Sequence, residues 1–400
     1  MRRAQAMKTK KIIFHFTHCD CLGHSTRLFS VIRALQALGK NIKIYVLHGS
    51  PLQPSVATLP GVTHLEVPFP SYSRSNFYSP LKKHPEYASQ RADFILQAVR
   101  TIRPRAFVTE FFPFGRQELW PELLPAIRFA RQNLKARLLC SLGYPFSNLE
   151  RFSTTQDLLA FYDKIFLHVP AGTEDKAALR FLQTRDDREK LRRLFAEIKN
   201  KTVFTNYVLP YHAVPRKGKK PSRPLILATR GAGAYFPRIV STSLKLRRYF
   251  KGFDIRVVAG PSTTAEEWEV FKTIAKMPEN RGVSLFKQTA ELPSLMRASS
   301  VLISTAAYNT SVLSLYYGSK GVMIPFSGSA RYDQFWEQPS RARWLGRLTK
   351  NSVLDYQELT PPSLASEVAR QLASKARKNE WPDSFFTGAR QTARELLNEL

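Results

Sequence analysis

The chain has 400 residues, 43% of them hydrophobic and 12% aromatic, which excludes a disordered polymer and provides for two or three domain cores. Three cysteines exclude a disulfide-stapled scaffold, and no apolar run approaches the ~18 residues of a membrane-spanning helix. A formal net charge of +30, from 61 basic and 31 acidic side chains, directs attention to anionic partners: phosphorylated substrates, an anionic lipid surface or nucleic acid.

The charge is spread along the chain. The first 200 residues carry 31 basic and 16 acidic side chains, the last 200 carry 30 and 15, and the window 201–250 has 11 basic and none acidic. A solvated surface in a basic proteome has the same composition. The N-terminal "MRRAQAMKTKK" is basic but lacks the apolar core of a secretory signal. With so few cysteines, the expected setting is cytoplasmic, with the inner face of the membrane as an alternative.

"KIIFHF" (11–16) reads as a buried strand, and "TRLFSVIRALQALGK" (26–40) as a helix with Leu28, Val31, Ile32, Leu35 and Leu38 on one face and Gly39 closing its end. "IKIYVLH" (42–48) completes a β-α-β unit. The alternation continues through a helix at 88–104, a strand at 106–110, a helical stretch at 118–134 and strands at 136–142 and 164–170. "LPYHAVPRKGKKPSRP" (209–224), with four prolines and five basic residues, reads as a linker. Strands at 225–229, 253–260, 283–286, 301–305 and 321–326 follow, with helices at 289–299, 310–318 and 386–400. The expectation is α/β: two doubly wound Rossmann-like domains facing an interdomain cleft. The divisions are 8–208, the linker 209–224, 225–385, and a C-terminal helix 386–400 that returns to the first domain. Ligands in such sheets sit beyond the C-terminal strand ends.

Three strand-end loops are candidates for chemistry. The first, "THCDCLGHSTR" (17–27), suggests zinc, but Cys19 and Cys21 are one residue apart and no second pair follows; a redox pair needs two intervening residues. No metal is expected. The loop instead joins a strand to a helix start: Gly23 permits close backbone approach, Ser25 or Thr26 can cap the helix, and the helix end favours an anion. His24 at its mouth is a candidate general base; a histidine merely capping a turn is the plain alternative. The second loop, "TRGAGAY" (229–235), offers Arg230, Gly231 and Gly233 to a diphosphate. It lacks the third glycine of a dinucleotide fingerprint, so NAD is disfavoured and no cofactor is expected. The third, "STAAYNTSV" (304–312), opens a helix at Asn309, Thr310 and Ser311. Asp333, Gln334, Glu337, Gln338 and Arg341 follow the next strand.

Together these segments resemble the GT-B-fold glycosyltransferases of family 28, best known for lipid-linked peptidoglycan N-acetylglucosaminyltransferases, and more closely a bacterial group of predicted glycosyltransferases. "LGHSTR" (22–27), "FFPFGRQELWPELLPAI" (111–127), "VVAGP" (257–261), the stretch 285–326 and "EQPSRARWLGRL" (337–348) carry the resemblance. It implies a nucleotide-sugar donor, of the UDP type, on the second domain and an acceptor on the first. The backbone near Phe286 would meet the base, Thr310 and Ser311 the diphosphate, and Asp333, Gln334 and Gln338 the donor sugar. His24 would be catalytic, with Gly23, Ser25, Arg27 and Arg116 on the acceptor side. The chain departs from the family pattern at Leu313, where a ribose-binding glutamate is usual, and at Ala307, where a glycine is usual.

The resulting expectation is an inverting, metal-independent transfer of a sugar from a nucleoside diphosphate to an acceptor hydroxyl, on a lipid-linked or other glycan acceptor. Leu313 motivates a non-catalytic scaffold as the alternative, and a nucleotide-sugar epimerase shares the fold. No specific nucleic-acid partner is expected, because charge alone supports one.

Overall fold

The structure is a computed structural model that describes residues 9–16, 23–39, 41–49, 59–68, 85–115, 119–144, 152–172, 185–218, 222–231, 236–325, 337–375 and 381–400. Two all-parallel sheets organise it. The first runs β3-β2-β1-β4-β5-β6-β7, with β1 (Lys10–Phe16), β2 (Ile42–His48), β3 (Val62–Glu66), β4 (Ala106–Glu110), β5 (Arg137–Gly143), β6 (Lys164–His168) and β7 (Thr202–Phe204). The second runs β10-β9-β8-β11-β12-β13, with β8 (Leu225–Thr229), β9 (Asp254–Val258), β10 (Val283–Phe286), β11 (Val301–Ser304), β12 (Gly321–Met323) and β13 (Ser352–Val353). Both reverse direction beside their first strand, which is the doubly wound order.

Twelve α-helices among the described residues cover the sheets. The first half carries α1 (Gly23–Leu38), α2 (Pro85–Ile102), α3 (Trp120–Gln132), α4 (Phe152–Leu159) and α5 (Arg185–Ile198). The second carries α6 (Pro237–Leu244), α7 (Ala265–Lys276), α8 (Leu292–Ala298), α9 (Tyr308–Tyr317), α10 (Glu337–Thr349), α11 (Pro361–Ala373) and α12 (Gly388–Asn398). The central strands are buried on both faces and read as continuous apolar runs, as parallel sheets require. Ile12, Phe14 and Phe16 of β1 face α1, whereas Ile13 faces the opposite layer.

The helix α1 begins at Gly23, so Ser25 and Thr26 are not caps: both are buried in its first turn. Gly39 does close α1, its N–H donating to Leu35 O at 2.8 Å, but the left-handed residue is Asn41 (φ 59°). A side chain at Gly39 would strike Ile42 Cδ1 at 2.3 Å. Close packing, not a positive φ, favours glycine there.

The proline-rich stretch is fastened to the second half. Val214 N–H donates to Tyr317 Oη at 3.0 Å, and Arg297 donates to Pro215 O at 3.1 Å. Arg216 donates to Trp381 O at 2.8 Å, pairs with Asp383 at 2.9 Å, and stacks over Tyr316 and Phe386. The chain then crosses back: Val208 bridges Thr387, and Ala393 and Leu396 of α12 enter the cluster built by α1 and β1. Glu399 pairs with Lys164 at 2.7 Å and also with Arg137.

Candidate active site

The C-terminal ends of β4, β5 and β6 deliver Glu110, Ser141 and His168 to one place, beneath the first turn of α1. All three are buried. Nδ1 of His24 lies 3.2 Å from Glu110 Oε1, the same oxygen that accepts from Arg27. Ser141 donates to Glu110 Oε2 at 2.5 Å. Burial alone would push the Glu110 carboxyl up. The Arg27 guanidinium and the bonds from His24 and Ser141 reverse this and hold it at about 2. Glu110 is therefore an anion at neutral pH and can only accept.

Proton positions follow from that charge. His24 must donate through Nδ1–H, which leaves Nε2 as its basic nitrogen. Ser141 has one proton and gives it to Glu110, so at 2.9 Å it accepts from Nε2–H of His168. His168 Nδ1 then accepts from the Thr205 hydroxyl at 2.8 Å. Burial pushes His168 down to about 3, the Arg27 charge adding to the effect, so it is neutral. The donors thus point in one direction, from Thr205 towards Glu110. The Phe111 ring stands edge-on to His24 at 5.2 Å.

The second half closes on this cluster through α9. Tyr308 donates to His168 O at 3.1 Å and accepts from Val208 N–H at 3.2 Å. Two guanidinium groups stand over its ring, Arg27 at 4.7 Å and Arg341 at 5.8 Å. Asn309 donates across the divide to Gly23 O at 3.2 Å. Ala307, the residue before α9, offers no side-chain cap, so the first-turn amides keep their anion-accepting character. Ser311 is buried, and its Oγ has no hydrogen-bond partner among the described residues; the same holds for Asn309 Oδ1. Gly231, at φ 73°, brings the β8 end to this helix: a Cβ there would lie 3.5 Å from Thr305 Oγ1 and 3.8 Å from Thr310 Oγ1.

The expected site residues divide into groups. Gly23, His24, Gly231, Asn309, Thr310 and Ser311 converge on the region between α1 and α9. Arg27 turns inward, 3% exposed, and its guanidinium is engaged by Glu110 and Tyr308; it does not reach out to an acceptor. Arg230 is also turned inward: it donates to Ala259 O, to Thr263 Oγ1 at 2.8 Å, and pairs with Glu267 at 3.1 Å. Its guanidinium joins β8 to β9 and α7. The carbonyl of Phe286 accepts from Ala259 N–H at 2.8 Å, so that group serves the sheet. Ser25 is buried, and Gln338 is half-buried in the first turn of α10. Gly233, Asp333, Gln334, Arg116, Cys19 and Cys21 lie outside the described residues. Leu313 is 4% exposed and packs with Val258, Leu295 and Leu302, with Phe286 against them. No group of three metal-ligating side chains occurs among the described residues.

No protein-family model matches the sequence, and no curated protein matches it. Solved structures do. The glycotransferase of kitacinnamycin is similar over 98% of this chain and 99% of its own, at a TM-score of 0.63 and 17% identity. MurG of Acinetobacter baumannii matches over 97% and 98% of the two chains, at 0.54 and 12%. UDP-GlcNAc 2-epimerase of Methanocaldococcus jannaschii matches over 97% and 99%, at 0.57 and 12%. The fold is GT-B. In the GT-B frame, the Glu110 cluster and the start of α9 stand on opposite sides of the junction between the two sheets, at the strand ends where this fold takes ligands. Sequence reasoning passed over Glu110; its one signal was a carboxylate ending the apolar strand "AFVTE".

Proposed function

We propose that the chain is a glycosyltransferase of the family 28 type that moves a hexose from a nucleoside diphosphate, UDP being the first donor to test, to an acceptor hydroxyl. One observation carries the reading: a carboxylate-oriented imidazole, His24 on Glu110, across from the uncapped end of α9 with its Ser311 hydroxyl, which has no partner among the described residues. In this reading His24 Nε2 takes the acceptor O–H proton as that oxygen attacks the anomeric carbon. The bond from that carbon to the donor phosphate breaks, and the diphosphate leaves with the electron pair. Helix-end amides and the Thr310 and Ser311 hydroxyls meet its growing charge. A single displacement inverts the anomeric centre, and the charge stabilisation comes from the protein itself. The acceptor approaches from the Gly23–His24 side.

A thermal-shift screen of nucleoside diphosphates and their sugars tests the donor half. The expected result is stabilisation by one base type, about 2.7 kcal/mol at a hundredfold excess over Kd. A flat response to every nucleotide overturns the reading. It would favour the second one, a scaffold without donor binding, which the apolar surroundings of Leu313 support.

A further inference from the structure

Glu110 has two oxygens and three donors. Ser141 takes Oε2, while His24 Nδ1 and Arg27 share Oε1. Arg27 Nη2 stands 3.2 Å from His24 Nδ1. With Nδ1 carrying its proton both groups are donors; Oε1 has lone pairs for both, but its bond to the guanidinium draws negative charge away from the imidazole, and the guanidinium's own charge opposes a second positive charge there. The guanidinium has the advantage. It carries a fixed full charge, it is almost wholly buried, and its binding to Glu110 outweighs the burial that would lower its own pKa.

Three features hold Arg27 in that post. Gly143 on β5 gives it room: a Cβ there would lie 2.7 Å from Nη1 and 2.9 Å from Cζ. The Tyr308 ring packs against the guanidinium at 4.7 Å. Tyr308 is fixed in turn by His168 O and Val208 N–H. Arg27 belongs to the first half and Tyr308 to the second, so the seat is complete only when the halves are docked.

We propose that Arg27 is a positioning residue that restrains His24 as a proton acceptor by occupying Glu110, and that Tyr308 holds Arg27 in place. This rests on the reading of His24 as the base. Docking of the second half then sets the resting strength of the base in the first. Any movement of α9 that withdraws Tyr308 loosens Arg27 and returns Oε1 to the imidazole. Among the described residues, the charged and titratable groups that face His24 are Glu110 from β4, Arg27 from α1, neutral His168 from β6, and Tyr308 from α9, which burial holds near 12. Glu337 and Arg341 of α10 act from behind Tyr308.

The test is the pH dependence of deuterium exchange at each imidazole C2, read by mass spectrometry on the full chain without substrate. The midpoint for His24 is expected to rise by about one pH unit in Arg27→Met, because Glu110 loses its competing partner. Glu110→Gln should lower it, and Tyr308→Leu should raise it by a smaller step. Arg27→Met leaves the buried Glu110 without its guanidinium counter-charge, which can cost about 3–5 kcal/mol and prevent folding. Arg27→Lys keeps the charge but loses the planar fork, and its midpoint should also rise. An unmoved midpoint in the folded Arg27 variants overturns the proposal, and an unmoved midpoint in Tyr308→Leu overturns the link to the second half. Because no nucleotide is present, these outcomes are separate from failure of the donor screen.

Discussion

At the scale of single residues, the site rests on a charge arrangement that acid dismantles. His15 and His168 are both pushed down from 6.5 to about 3, by burial first. Glu110 is held down from 4.5 to about 2, Arg27 and the hydrogen bonds to it prevailing over burial. For each group the unfolded chain binds the proton more readily. The stability they contribute is therefore present above the unfolded values and is lost as pH falls through the folded ones. Urea midpoints should fall steadily on acidification below about pH 6.5, where unfolded histidines begin to protonate. A flat profile down to about pH 4 would contradict the buried, neutral state of both histidines. His24→Ala should lower product formation by about 100-fold or more while nucleotide-induced stabilisation persists; loss of both together would place His24 in donor binding instead. His24 was legible because a strand, a glycine and a helix start bracket it. Arg230 carried the same kind of signal, yet sequence spacing does not say which way a guanidinium turns. Thr263 and Glu267, far along the chain, took it up.

At the scale of elements, glycine positions separate strict requirements from tolerated ones. Gly260 has φ 95°, and a Cβ there would lie 2.2 Å from Gly231 O. Backbone cannot yield as a flexible side chain can. Gly260→Ala should destabilise by about 2 kcal/mol or more and weaken nucleotide binding through the displaced β8 end. Among the described residues, nothing lies within 4 Å of the same position at Gly23. Gly23→Ala should leave the melting temperature within about 3 °C, since alanine suits a helix; a large loss would mean the loop before α1 closes on it. The central strands were legible because burial on both faces leaves uninterrupted apolar runs. β3, β7 and β13 were not. Each lies at a sheet edge, and "VTHLE", "TVF" and "SV" are short and at most half-covered. The start of α12 shows the same limit: a Cβ at Gly388 would lie 2.4 Å from Asn206 O, a constraint imposed by a partner some 180 residues away that no local pattern carries.

At the scale of the molecule, charge and connectivity dominate. A surface with net charge +30 should draw the protein to anionic vesicles and release it as salt rises, because exposed charges are screened beyond about 10 Å at 0.1 M. Flotation with anionic liposomes, against neutral ones, reads this directly; equal recovery in both would remove the membrane from the account. No helix among the described residues is long and apolar enough to cross a bilayer. The two-domain pattern was legible because α/β alternation restarts after the proline-rich stretch. The fastening of that stretch by Tyr317, Arg297 and Asp383 was not, since each partner lies on a different element.

The crossing of α12 carries a consequence for how the chain is made. Ala393 and Leu396 complete the apolar layer of α1 and β1, and Glu399 neutralises Lys164 and Arg137. These contributions come from residues synthesised after the whole of the second half. The first half cannot finish its core as it emerges, although its own strands are all synthesised by residue 204. It must wait through the whole second half with one helix layer uncovered. Nascent chains arrested before α12 should therefore be captured by chaperones or proteases at the first half, not at the unfinished end.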